Sequence, residues 1–192
     1  MYATLYANLP WMWGESGKGQ EMFALINPNV KLPSRKSISG KVLKDEDERY
    51  FNSKIAELKN CYSVGLVLDS WKSIRRHSLL GFLITSNYSN NDVQLLYDLE
   101  DITSYQKTGE FIEERIQSLT AEIYSKHNVL INFIITDGGG EMKKACRLIK
   151  QSLPNKITIW CNSHLLNLLY GDLVKNIGRS LISDMVDIVN WI

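Results

Sequence analysis

Between residues 62 and 160 the apolar residues fall into five short runs, and the links between those runs leave few folds open. The runs at 63–68, 78–85 and 93–99 are strand-like in length. They are joined by a polar, basic turn at 71–77 and by the turn formers Asn87-Tyr88-Ser89-Asn90-Asn91. Strands linked this closely pair antiparallel. After them the rhythm changes. Residues 110–125 place Phe111, Ile112, Ile116, Leu119 and Ile123 at helical spacing. A strand at 129–135 follows, then a helix at 141–152 with Met142, Ala145, Leu148 and Ile149 inward, then a strand at 157–160. Cys161 opens another helix carrying Leu165, Leu166, Leu168 and Leu169. Strands that return through helices run parallel, because a crossover is needed to bring the chain back. The expected class is therefore α/β: a mixed sheet of three antiparallel strands followed by parallel strands, with flanking helices. In it the first and fourth strands are neighbours.

Residues 1–60 read as a separate, mostly helical segment. A helix is expected to start at Pro33-Ser34-Arg35 and run towards Leu58. Gly14-Glu-Ser-Gly-Lys-Gly19 lacks the spacing of a phosphate-binding loop and is rejected as one. Residues 61–175 hold the sheet, and 176–192 begin a further apolar helical region.

Composition narrows the setting. Hydrophobic residues make up 44% of 192 and charged residues 22%, enough for a core and a wetted surface. The net charge of +1 leaves nucleic-acid affinity to local basic patches. Three cysteines, Cys61, Cys146 and Cys161, form no disulfide framework. No run reaches the ~20 apolar residues of a membrane span, and the first residues lack a signal-peptide pattern. The expected location is the nucleus, with the cytoplasm as the other option. No membrane partner and no small-molecule substrate are expected.

Two aspartates carry the chemistry. Asp69 follows the first apolar strand in Leu66-Val-Leu-Asp-Ser-Trp71, and Asp137 follows the fourth in Ile135-Thr-Asp-Gly-Gly-Gly140. Either could simply cap a turn or helix. With the first and fourth strands adjacent, however, both lie at one edge of the sheet. Neighbouring carboxylates repel, and a divalent cation relieves the repulsion. The glycines after Asp137 are expected to allow unusual backbone angles and the close approach of another group. Cys161 and His164 lie one helical turn apart. Only two zinc ligands are local where four, or three and a water, are needed, so packing or hydrogen bonding is the preferred role. Basic residues cluster at 31–44, at Lys72, Arg75 and Arg76, and at Lys143, Lys144, Arg147 and Lys150. The last two clusters flank the acidic pair, where they would meet phosphates or simply face solvent.

Four segments, in order, resemble motifs of hAT-superfamily transposases, which adopt the RNase H-like fold that the strand order also suits. Leu32-Pro-Ser-Arg-Lys-Ser-Ile-Ser39 resembles P-S-R-x-x-I-S, and Val67-Leu-Asp-Ser-Trp-Lys72 resembles the D-x-W motif. Thr136-Asp-Gly-Gly-Gly-Glu-Met-Lys-Lys-Ala145 resembles T-D-N-A-x-N-M-x-x-A, and Trp160-Cys-Asn-Ser-His-Leu-Leu-Asn-Leu168 resembles C-x-x-H-x-L-N-L. The resemblance implies metal-dependent DNA cleavage and strand transfer, with Mg²⁺ or Mn²⁺ held by two Asp and one Glu. It makes Asp69 and Asp137 the first two catalytic, metal-binding carboxylates. Trp71, Cys161 and His164 become site-supporting residues, DNA the partner, and a homo-oligomer a further expectation.

The departures from the family pattern are specific. The third carboxylate has no match: Glu141, Asp172 and Asp184 do not stand in its context, and the sequence ends within an apolar helical stretch. Glu141 also adds a charge where the family favours Asn. The expectation is a truncated catalytic domain, incomplete at the C-terminus and inactive alone. The alternative is a decayed or domesticated derivative that binds DNA or protein.

Overall fold

A computed structural model describes residues 9–88 and 91–175. The expected helical region at 176–192 and the centre of the 87–91 loop lie outside the described residues. The chain divides into two compact units, Met1–Ala56 and Glu57–Ile192.

In the first unit, a single 3-10 turn at Trp13–Glu15 precedes helix α1, Gly17–Ile26. Ser16 caps α1 by accepting the Gly19 N–H at 3.1 Å. The Trp13 ring lies 5.6 Å from that of Phe23. Glu15 Oε1 accepts the Arg35 N–H at 2.8 Å, and Ser34 Oγ accepts that of Ser37 at 3.1 Å. From Arg35 the chain is helical through a π turn, Ile38–Val42, into α2, Leu43–Leu58. The expected helix therefore forms, with an unforeseen wide turn near its start.

The second unit is an α/β fold on a mixed five-stranded open sheet. Its elements are β1 (Val64–Lys72), β2 (Ser78–Tyr88), β3 (Asn91–Asp101), α3 (Gly109–His127), β4 (Ile131–Thr136), α4 (Gly140–Ser152), β5 (Ile157–Trp160) and α5 (Asn162–Leu173). The strand order is β3-β2-β1-β4-β5. β1/β2 and β2/β3 are antiparallel, and β1/β4 and β4/β5 are parallel. The expected succession is met, but several strands run longer than their apolar cores. The largest difference is in β1, which continues through Trp71 to Lys72 because β2 pairs with it to the end. Backbone pairing, not side-chain polarity, sets where that strand stops.

One face of the sheet is closed by α3 and α4. Leu66, Leu80, Phe82, Ile84 and Ile134 on this face are fully buried. The two helices present Ile112, Ile116, Leu119 and Ile123, and Met142, Ala145, Cys146 and Ile149, all buried. Cys146 faces inward where Leu148 was expected to share that role, and Leu148 is half-buried. Polar links hold helices and sheet in register. Arg115 pairs with Glu100, Lys144 with Glu110 at 2.5 Å, and Ser152 Oγ donates to Glu113 at 2.6 Å. Thr108 caps α3, and Asn128 ends it in the left-handed region at φ 54°.

The opposite face carries Gly65, Val67, Asp69 and Trp71 of β1, by strand alternation. At Gly65 a Cβ would lie 2.1 Å from the Phe133 ring, so only glycine leaves room for that ring against the strand. Gly65→Ala is expected to lower unfolding stability by about 1–3 kcal/mol through overpacking. Adding Phe133→Ala should recover part of the loss. A double-mutant cycle in chemical denaturation measures both, and purely additive losses would exclude the contact as the cause.

Candidate functional site

The site begins with a register irregularity. β1 and β4 pair Val64 with Ile131, but then Gly65 with Phe133, Leu66 with Ile134 and Val67 with Ile135. Asn132 is the extra residue. Its Oδ1 accepts the Val64 N–H at 3.0 Å, so the irregularity carries its own hydrogen bond. Continued two residues, the shifted register sets Leu68 level with Thr136 and Asp69 level with Asp137. Burial agrees: Leu68 and Thr136 are buried, Asp69 is exposed and Asp137 half-buried.

The strand ends differ from expectation. β4 stops at Thr136, directly before Asp137, as expected. Asp69 instead lies within β1, opposite Gly81 of β2. What ends near Asp69 is the pairing with β4, not the strand. Asp69 Oδ1 accepts the Ser70 N–H at 2.8 Å, and Asp137 Oδ1 accepts the Gly139 N–H at 2.9 Å. The second oxygen of each accepts no hydrogen bond from a described residue. Asp137 thus shapes the turn before α4 without capping the helix; Gly139 is the N-cap. The three glycines there do not serve unusual angles, since no glycine among the described residues has positive φ. At Gly139 a Cβ would lie 3.0 Å from Asp137 Oδ1 and 3.9 Å from Glu141 Oε2, so both acids border this turn. Among the described residues, no group of three or more His, Cys, Asp or Glu gathers in a form that could hold a metal ion.

The residues expected to support the site, Trp71, Cys161 and His164, lie around the pair. The Trp71 ring lies over Gly81, where a Cβ would meet it at 3.1 Å. Gly81 is opposite Asp69, so the indole and the carboxylate occupy neighbouring positions on one face. The Cys161 N–H donates to the Thr136 carbonyl at 2.8 Å, anchoring the start of α5 beside Asp137. A Cβ on Gly138 would be in ordinary contact with the His164 ring, at 3.8 Å. Cys161 and His164 therefore border the Asp137 turn.

The basic residues separate by role. Lys72, Arg75 and Arg76 are exposed at the end of the β1–β2 hairpin. Lys143 places its ammonium 5.0 Å from the Trp160 ring centre, a cation–π geometry. The Lys144 stem packs on Gly109, and its ammonium is paired with Glu110. That contact pulls the Glu110 carboxyl below the usual range, with the Lys144 hydrogen bond as the main cause. Lys144 is thus engaged within the fold, while Arg147 is exposed. One cation was missed from sequence. Lys107 donates to Ser70 Oγ at 2.5 Å, beside a cavity of about 220 Å³ that Lys72 also lines. It stands far from Asp69 in sequence, and no motif spacing connects them.

No helix among the described residues is long and apolar enough to cross a membrane. No family model matches the chain, and no curated protein matches it either.

The hairpin base holds the clearest titration feature. The Asp101 carboxyl is lowered from 3.8 to about 2, first by the Thr103 hydroxyl and then by His77, whose Nδ1 lies 2.6 Å from Oδ2. A lowered carboxyl stabilises the fold above its ordinary value, and that contribution is lost as pH falls through about 2. NMR titration of the Asp101 side-chain carbonyl should show its midpoint well below that of an ordinary aspartate. Asp101→Asn should remove the acid-dependent part of stability. A midpoint near 3.8 would exclude the network as described.

Proposed function

We propose that residues 61–175 form an RNase H-like domain of the hAT transposase type, which binds divalent metal and DNA but does not cut DNA by itself. The observation that carries this reading is the position of Asp69 and Asp137. Continued two residues past its last pair, the β1–β4 register sets them level, Asp69 in β1 and Asp137 directly after β4. The strand order β3-β2-β1-β4-β5 supports the fold, and the four ordered motifs support the family.

The donor set suits Mg²⁺ or Mn²⁺: hard cations prefer carboxylate oxygens, and each aspartate keeps one oxygen open. Asp69 and Asp137 would hold the metal. When bound, such ions activate water and stabilise the leaving oxygen in phosphodiester cleavage. The protein's own residues do the remaining work. The Asn132 bulge aligns the two acids. Cys161 fixes the β5–α5 junction against Thr136, and His164 borders the turn that carries Asp137. Lys72, Arg75, Arg76, Lys143 and Arg147 would attract and position the DNA backbone. The absence of a matching third carboxylate in the sequence underlies the proposed lack of cleavage. A homo-oligomer and a nuclear location belong to the same reading.

Titration with Mn²⁺ by calorimetry is expected to show binding that Asp69→Ala or Asp137→Ala reduces by at least about tenfold. A Mg²⁺/Mn²⁺ nicking assay on supercoiled DNA is expected to show no cleavage above these mutants. Metal binding that survives both substitutions would refute the assigned site. Carboxylate-dependent nicking would refute the proposed lack of cleavage.

A further inference from the structure

The β1–β2 hairpin extends past the acidic edge and ends in an unusual tip. Its last ladder pair is Lys72 with Ser78, leaving residues 73–77 as the connection. That connection contains no Gly, Pro, Asn or Asp, and Ser73 is its one common turn former. It is nevertheless well defined. The Ser73 N–H donates to the His77 carbonyl at 2.8 Å, and the Arg76 N–H to the Ser73 carbonyl at 2.8 Å. The His77 N–H donates to Ser73 Oγ at 3.1 Å, and the His77 ring is held by Asp101.

Two choices at this tip are locally unfavourable. Ile74 is completely exposed, at 103% of its reference area. Arg76 sits in the left-handed region at φ 63°, where a glycine would be unstrained. A turn whose only task was to join two strands would gain from a polar residue at 74 and a glycine at 76. A ligand that covers the isoleucine and uses the arginine would account for both.

The surroundings favour one ligand class. Exposed Lys72, Arg75 and Arg76 flank the isoleucine, so the partner is anionic. The charge is arranged along a ribbon. From Asp69, β1 leads through Trp71, 43% exposed, and Lys72 to the tip. Five residues at ~3.3 Å each span roughly 16 Å. That is about five base-pair steps along the axis of a duplex. A linear polyanion lying on the ribbon would meet the acidic edge at one end and the tip at the other. Apolar side chains beside phosphate-binding cations can enter between base steps and unstack them.

We propose that the tip at 72–77 is a DNA-deforming contact, in which Lys72, Arg75 and Arg76 take backbone phosphates and Ile74 enters between adjacent base pairs. This rests on the DNA-binding reading above, but it assigns a structural distortion that the acidic pair alone does not require. It places the distortion a few base pairs from the carboxylates.

The test uses the full chain and short duplexes carrying 2-aminopurine at successive positions, at low salt with Mn²⁺. Wild-type binding should raise the fluorescence at one step, reporting unstacking. Ile74→Ser removes the apolar wedge and keeps every charge. It should abolish that rise while holding affinity within about tenfold of wild type. Arg75→Ala with Arg76→Gly should weaken binding and reduce the slope of log affinity against log salt by about two. Circular dichroism confirms that the variants fold. If wild type binds and unstacks DNA equally with Ile74→Ser, the wedge is wrong and the DNA-binding reading stands. If wild type binds no duplex, both fall. Sedimentation with phosphatidylserine vesicles in place of duplex binding would assign the tip to a lipid surface and overturn the proposal.

Discussion

β1 is paired on both sides, and the second unit depends on that double pairing. On one side it meets β2 antiparallel along most of its length. On the other it meets β4 parallel, over Val64 to Val67. The backbone groups of a central strand have no access to water as substitute partners, so both ladders must form together. The side chains reinforce this. Val64, Leu66 and Leu68 are buried on the face that α3 and α4 cover. That one strand therefore joins the antiparallel half of the sheet to the parallel half.

The unequal lengths of the two ladders give the unit its functional geometry. Where β4 ends, β1 and β2 continue as a ribbon. The carboxylates lie at that step in the sheet. A carboxylate there is free of a covering strand on one side, which lowers the cost of keeping it charged. Beyond the step the ribbon turns basic. The acid pair, the indole over Gly81 and the cationic tip thus follow one another along a single strand direction.

Much of this architecture was legible because connection length is a strong signal. Three strands joined by short turns, then strands returning through helices, left little choice of direction. The level position of Asp69 and Asp137 followed from the expected adjacency of their strands. The extent of β1 was not legible. Trp71 and Lys72 read as turn residues because neither extends an apolar run, and the pairing that makes them strand comes from β2. Lys107 was missed because its link to Ser70 is tertiary. The glycines after Asp137 misled in another way. Of the unusual angles and the close approach expected of them, only the second is seen: the turn has no positive φ, and a Cβ at Gly139 would crowd the Asp137 carboxylate that accepts its N–H. Asn132 gave no signal at all, since a polar residue early in a strand reads as alternation and not as a bulge.

That one asparagine has a genetic consequence. The two acids of this edge are written at positions 69 and 137, but their alignment is written at 132. If β4 kept its length but paired without the bulge, the register at Val64 and Ile131 would bring Asp69 level with Thr136, whose side chain belongs to the helix-covered face. A lineage could therefore keep both acids, and every motif around them, while losing their alignment through a substitution at 132 that removes the amide holding the bulge; deleting that codon instead would straighten the ladder and keep the acids level. Survival of the acids in a sequence would then say little about the site, and the residue at 132, read together with the spacing from Val129 to Asp137, would say much more.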